Sequence, residues 1–236
     1  MDNKRKSLTL ATYNIHSCIG NDGRYDPDRI VAVIKSLKAD IVGLQEVTSD
    51  YSDDLNLLDY LGEAVGMRII PGLTMFRETS GYGNALLVRG QTEQTQQINI
   101  SYKKREPRGA VSLRMKIGGK RLHVISTHLG LSRYERRPQT RRLLSAFSEC
   151  PADVSVLMGD LNEWYPWSEP LRRMRNYFTR TNAPATFPSR APVLPLDRIL
   201  VRPPSYIQTI AAVDDSLTRI ASDHLPVTAM LAWRLD

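Results

Sequence analysis

Short apolar segments of strand length recur along this chain, and several end on, or just beside, an acidic, amide or imidazole side chain. Residues 8–14 run into Asn14, and residues 41–45 into Glu46. Residues 121–127 stop at His128, and residues 154–158 pass through Gly159 to Asp160 and Asn162. Asp223 and His224 sit just before residues 227–232. Asp and Asn are ordinary turn formers, so one such position says little. Rigid scaffolds place their chemistry on loops at strand ends, and a set this large points to side chains converging at one end of a sheet.

The intervening segments are helical in pattern. Asp26-Pro27 opens a helix, with Asp as the N-cap and Pro at the first helical position. Ile30, Val33, Ile34 and Leu37 then recur at helical spacing and give one buried face. Residues 60–65 close a second helix. Residues 84–88 and 111–117 read as strands, and Gly118-Gly119 turns the latter into the strand at 121–127. Residues 136–149 form a helix with Thr140, Leu143, Leu144 and Phe147 on one face, and Ser168 caps another that carries Leu171, Met174 and Phe178. Residues 196–201 and 227–232 are the last predicted strands. Alternating strand and helix segments predict an α/β architecture, α+β by some schemes. With no repeat, low-complexity stretch or Gly/Ser linker, residues 1–236 are expected to form a single domain.

The set Thr-Tyr-Asn14-Ile-His16, Leu-Gln-Glu46-Val, Ser-Thr-His128-Leu, Met-Gly-Asp160-Leu-Asn162, Leu-Asp197-Arg-Ile-Leu and Ser-Asp223-His224-Leu-Pro resembles the endonuclease/exonuclease/phosphatase superfamily, whose members include deoxyribonuclease I. Each motif is weak alone, but the ordered set spans residues 12 to 227. The resemblance implies a four-layer α/β/β/α sandwich of two mixed β-sheets flanked by helices. It further implies a phosphoester hydrolase, most readily a phosphodiesterase, that uses Mg²⁺, with Mn²⁺ as a substitute. Mg²⁺ favours hard oxygen ligands. The resemblance makes Glu46 the principal ligand, Asn14 a carbonyl-oxygen neighbour, and Asp223 a completing carboxylate. Asp160 would orient or deprotonate the attacking water, and Asn162 would hold that nucleophile or the phosphate. On an extended chain, residues two apart point the same way. His224 would contact a non-bridging phosphate oxygen, Asp197 would pair with it, and His128 would reach the phosphate or leaving group. Asn84, in Gly-Tyr-Gly-Asn, and Arg108, in Glu-Pro-Arg-Gly, are placed near the phosphate.

The chain departs from some branches at His16, where they carry an acidic ligand; imidazole is softer than Mg²⁺ favours, so His16 is read as a phosphate or carboxylate contact. Its sequence is unlike the abasic-endonuclease branch and nearer to compact bacterial members. The phosphoester substrate therefore stays open between nucleic acid, lipid headgroup and small molecule. The net charge of +7 suits any anionic partner. Arg133, Arg136, Arg137, Arg141 and Arg142 follow His128 and are candidates to border the cleft; Lys103, Lys104, Arg105 and Arg108 form a second basic group, and the pattern suits a nucleic-acid footprint or a solvated surface. Trp164, Tyr165 and Trp167 follow the Asp160 motif; exposed, they would stack on a base or enter a membrane interface, and at least one is expected to be packed. The rival to catalysis is a binding module that keeps the fold and lends its basic surface to a polyanion. The basic N-terminal residues 1–7 have no apolar segment after them, Cys18 and Cys150 have no metal spacing, and no run is long enough to span a membrane. A cytoplasmic monomer is the expectation.

Overall fold

A computed structural model describes residues 5–50, 56–179 and 182–235; part of the basic N-terminal segment lies outside them. Eleven strands fall into two sheets among these residues. The first is built from β1 (Arg5–Asn14), β2 (Ile41–Asp50), β3 (Arg68–Phe76), β4 (Ser80–Val88), β10 (Ile207–Ala212) and β11 (Val227–Arg234), in the order β10-β11-β1-β2-β4-β3. The second contains β5 (Gln94–Asn99), β6 (Gly109–Ile117), β7 (Lys120–His128), β8 (Val154–Asp160) and β9 (Asp197–Arg202), in sequence order. Both sheets are mixed: β1 is parallel to β2, and β7 to β8, while the other pairings are antiparallel.

Successive side chains of a strand point to opposite faces, and each central strand here is apolar on both. Leu10, Ile41, Val124 and Val156 fill the core between the sheets. Their neighbours Ala11 and Val42 face α1 (Pro27–Leu37) and α2 (Leu57–Val65). Ile125 and Leu157 face α3 (Arg133–Glu149) and α4 (Glu169–Phe178). Three apolar cores thus separate four layers, the α/β/β/α sandwich expected.

Local rules set the helix ends. Asp26 accepts from the Arg29 amide, Asn56 from Asp59 and Ser168 from Leu171, each capping its helix. The short helix α5 (Ser216–Ala221), not predicted from sequence, is started by a reciprocal capping box between Asp215 and Thr218.

Three strands also went unpredicted: β3, β5 and β10. All lie at sheet edges. Edge strands need bury little; β5 is Gln-Thr-Gln-Gln-Ile-Asn, with only Ile98 buried, and β3 tolerates Pro71. Helix α3 begins at Arg133, three residues before the predicted start, on a Ser132 cap. Strand β2 does not stop at Glu46. The register slips between Leu44 and Val47, Glu46 adopts a left-handed φ of 56°, and the strand resumes to Asp50. Glu46 is therefore the extra residue of a bulge, a device that re-aims a side chain without ending the strand.

Candidate active site

The two sheets present their polar strand ends on the same side of the sandwich. Asn14 ends β1 and Glu46 stands in the β2 bulge. His128 ends β7, Asp160 ends β8, Asp197 begins β9, and Asp223-His224 leads into β11. Gly159 makes the close approach of β8 to β7 possible: a Cβ there would lie 1.8 Å from the Thr127 carbonyl oxygen, and its φ of 140° suits only glycine.

Asp160 is the hub. One oxygen, Oδ2, accepts from Asn14 Nδ2 at 3.2 Å and lies 3.4 Å from His128 Nε2 and 3.8 Å from His224 Nε2. The other, Oδ1, accepts the Asn162 backbone N–H at 2.9 Å. Asn162 is not extended, as the sequence reading assumed; its φ is 49°. The chain turns there, and the Asn162 amide reaches His128 Nε2 at 3.0 Å and the Leu129 carbonyl at 2.9 Å.

The two histidines are tuned in opposite directions. Burial, the largest influence, drives the His128 pKa down to about 3, and Arg108 and His224 add to it against the pull of Asp160. His128 is therefore neutral at ordinary pH. At His224, burial again favours the neutral ring but is outweighed by Asp197, with help from Asp160 and Asp223, so its pKa is held up at about 10. His224 donates from Nδ1 to Asp197 Oδ2 at 2.8 Å, and Thr186 donates to the same oxygen at 2.6 Å.

Glu46 is half-buried beside these groups. Burial first, then the charges of Asp223 and Asp160, raise its pKa, while the hydrogen bond from Asn14 Nδ2 at 2.8 Å lowers it. The Asn14 side-chain oxygen Oδ1 accepts the His16 backbone N–H at 3.1 Å. The Asn14 side-chain nitrogen thus bridges two carboxylates, Glu46 and Asp160. Asp223 is half-buried, 3.9 Å from a half-exposed His16 ring that also meets the Ile19 carbonyl.

Asn84 and Arg108 come together around Gly109, whose carbonyl accepts from Asn84 Nδ2 at 2.9 Å. Both are buried, yet Asn84 Oδ1 and Arg108 Nε have no hydrogen-bond partner, and neither does Asp197 Oδ1. Unpaired buried polar atoms are costly, and their concentration here is a mark of a ligand site.

Sequence reasoning missed three supports. Tyr82 lies beside Glu46, where burial and then the Glu46 charge raise its pKa, and Ser222 donates to the Asn14 backbone carbonyl at 2.7 Å and accepts the His224 backbone N–H at 3.2 Å. Thr186 anchors Asp197. Only Tyr82 and Ser222 carried a signal, lying inside motifs already singled out. Two surface expectations also change. Arg136 is buried in an ion pair with Glu163 at 3.1 Å, so it holds loops and does not border the cleft. Trp164, Tyr165 and Trp167 are all exposed; none is buried under the loop.

Residues 11–224 match the model of the Endonuclease/Exonuclease/phosphatase family. The chain belongs to this family. It is 30% identical to the protein YbhP of Escherichia coli K12, covering 94% of this chain and 95% of that one. Among solved structures, the family protein from Bacteroides vulgatus superposes with a TM-score of 0.78 at 19% identity, covering 96% of this chain and 98% of that chain. A mannosyl-6-phosphatase of Bacteroides thetaiotaomicron superposes with a TM-score of 0.76 at 17% identity, covering 94% and 98%. The family is one of phosphoester hydrolases, generally dependent on a divalent metal.

Two carboxylate groupings in this chain bear on that metal. Ligand atoms of Asp160, Asp197 and His224 lie within 4.8 Å of one another. This trio suits a metal poorly, because a protonated His224 has no lone pair to lend and its Nδ1–H is committed to Asp197. Glu46 and Asp223 fit better: they are hard oxygen donors, partly open, and burial first, then the nearby Asp223 charge, raise the Glu46 pKa, a cost that a bound cation would offset. Among the described residues no helix is long and apolar enough to cross a membrane.

Proposed function

We propose that this protein is a divalent-metal-dependent phosphodiesterase in which Asp160 is the general base. The observation that carries this reading is the position of Asp160 Oδ2, with the Asn14 amide, neutral His128 and protonated His224 all between 3.2 and 3.8 Å away. A carboxylate so surrounded is held in one orientation, as a group that accepts a proton from a positioned water must be.

Glu46 and Asp223 would hold Mg²⁺, or Mn²⁺ in its place, which when bound neutralises charge on the phosphate. Asn162 holds the water against Asp160 with an amide fixed by the Leu129 carbonyl. His224 donates from Nε2 to a non-bridging oxygen, where negative charge grows, and Asp197 keeps that ring charged and in orientation. The unpaired Arg108 Nε and Asn84 Oδ1 face the phosphate and its ester oxygens. His128, neutral, serves as a hydrogen-bonding partner for the Asn162 amide and the leaving group. His16 lies at the rim, where it contacts the substrate or Asp223. With Cys18 and Cys150 both free, a reducing cytoplasm suits the chain, and we take it to act as a monomer.

Hydrolysis of bis-p-nitrophenyl phosphate with Mg²⁺ or Mn²⁺, and again after chelation, tests the proposal. Chelation should abolish turnover, and Asp160→Asn should lower kcat by about 10²–10⁴-fold. Turnover indifferent to both would overturn it.

A further inference from the structure

The loops that follow β7 and β8 carry a protruding apolar face beside the site. Leu131 is 67% exposed, Trp167 is 80% exposed, and Tyr134, Trp164 and Tyr165 are about half exposed. Soluble surfaces seldom gather large aromatics this way without a partner. Segments 131–142 and 161–175 that bear them expose seven arginines against one half-buried glutamate, Glu169, which pairs with Arg137 and Arg173. Arg133 lies over the Tyr134 ring at 5.0 Å, and among the described residues no carboxylate pairs with it.

We propose that this face docks the protein on the surface of an anionic phospholipid bilayer, whichever phosphoester the site hydrolyses. Trp and Tyr favour the bilayer interface because their rings are apolar at one end and polar at the other, and arginines beside them match anionic headgroups. A nucleic-acid strand fits less well. Tyr165 and Trp167 pack on each other at 5.7 Å with their planes inclined by 41°, which leaves no parallel slot for a base, and the aliphatic Leu131 offers no stacking surface.

The face is also built to keep its shape. The buried Arg136 guanidinium donates to the Gly130 and Leu131 carbonyls on one loop and to Glu163 on the other, and Glu163 accepts the Tyr165 amide. The Leu129 amide is bonded to the Asp160 carbonyl at 3.0 Å. Little freedom is lost when such a surface meets a membrane. Both loops spring from the strand ends that carry His128 and Asp160, so a docked molecule holds its site close to the headgroup layer.

The test uses the intact protein with vesicles of phosphatidylcholine alone or mixed with one third phosphatidylglycerol. Trp233 is only 4% exposed, so a change in tryptophan emission reports Trp164 and Trp167. Mixed vesicles should shift the emission to the blue and sediment the protein, less so at high salt. Binding should fall by about tenfold or more on pure phosphatidylcholine and in Trp164→Ala/Trp167→Ala. Leu131→Ser, checked by circular dichroism, gives a second variant with the same expected direction. Undiminished sedimentation of the correctly folded variants would refute the proposal. So would indifference to mixed vesicles joined with variant-sensitive binding of a single-stranded oligonucleotide, or with variant-sensitive self-association in light scattering.

Discussion

The side-chain amide of Asn14 donates to Asp160 at 3.2 Å, linking residues 146 apart in sequence and held in different sheets. The same nitrogen donates to Glu46, so one amide sets the spacing of the proposed metal ligand from the proposed base.

Removing that amide should therefore cost both stability and turnover. Asn14→Ala leaves two carboxylates facing each other without their shared donor. A loss of about 1–3 kcal/mol in urea unfolding is expected, with kcat reduced more than KM is raised. An unchanged urea midpoint would show that Asn14 carries no such strain.

Asp197→Asn should move the alkaline limb of the pH–rate profile. His224 has its pKa raised to about 10 in the folded protein, above its ordinary 6.5. The associated stability is complete below the unfolded value and fades as pH climbs through 10. Without the Asp197 charge the limb should fall by at least about one pH unit, since Asp160 and Asp223 still support the ring. A limb that stays put would mean His224 is not the group that must remain protonated.

His128 imposes the opposite dependence. Its folded pKa, about 3, lies below its unfolded value, so the stability linked to its neutral form is present above 6.5 and is lost as pH falls towards 3. His128→Asn should flatten the drop in urea midpoint between pH 7 and pH 4. An equally steep drop in the variant would assign the acid sensitivity to other groups.

The Arg136–Glu163 pair should be worth far more than a surface ion pair. Both side chains are buried, so Glu163→Gln strands a guanidinium between two loops, and a loss of about 3–5 kcal/mol is expected. Arg136→Met with Glu163→Leu should recover only part of it, because the Gly130 and Leu131 carbonyls lose their donor. Denaturant unfolding of the two variants decides the matter.

Much of this molecule was legible before folding. Central strands such as β8 are buried on both faces and read as continuous apolar runs, and the motifs at their ends gave Glu46, Asp160, Asp197 and His224 directly. What stayed hidden was set by tertiary context. Edge strands such as β5 bury one residue and carry no apolar signature. The left-handed turn at Asn162 and the amide bridge of Asn14 depend on partners far away in sequence. Arg136 looked like surface charge because its partner Glu163 is 27 residues away and buried with it.

The bulge that carries Glu46 has an evolutionary consequence. A left-handed backbone at a non-glycine residue costs about 1 kcal/mol, and glycine at position 46 would relieve it while deleting the carboxylate. Selection for heat tolerance alone therefore pulls this position away from glutamate. A lineage that keeps glutamate in this conformation is being held there by what the side chain does.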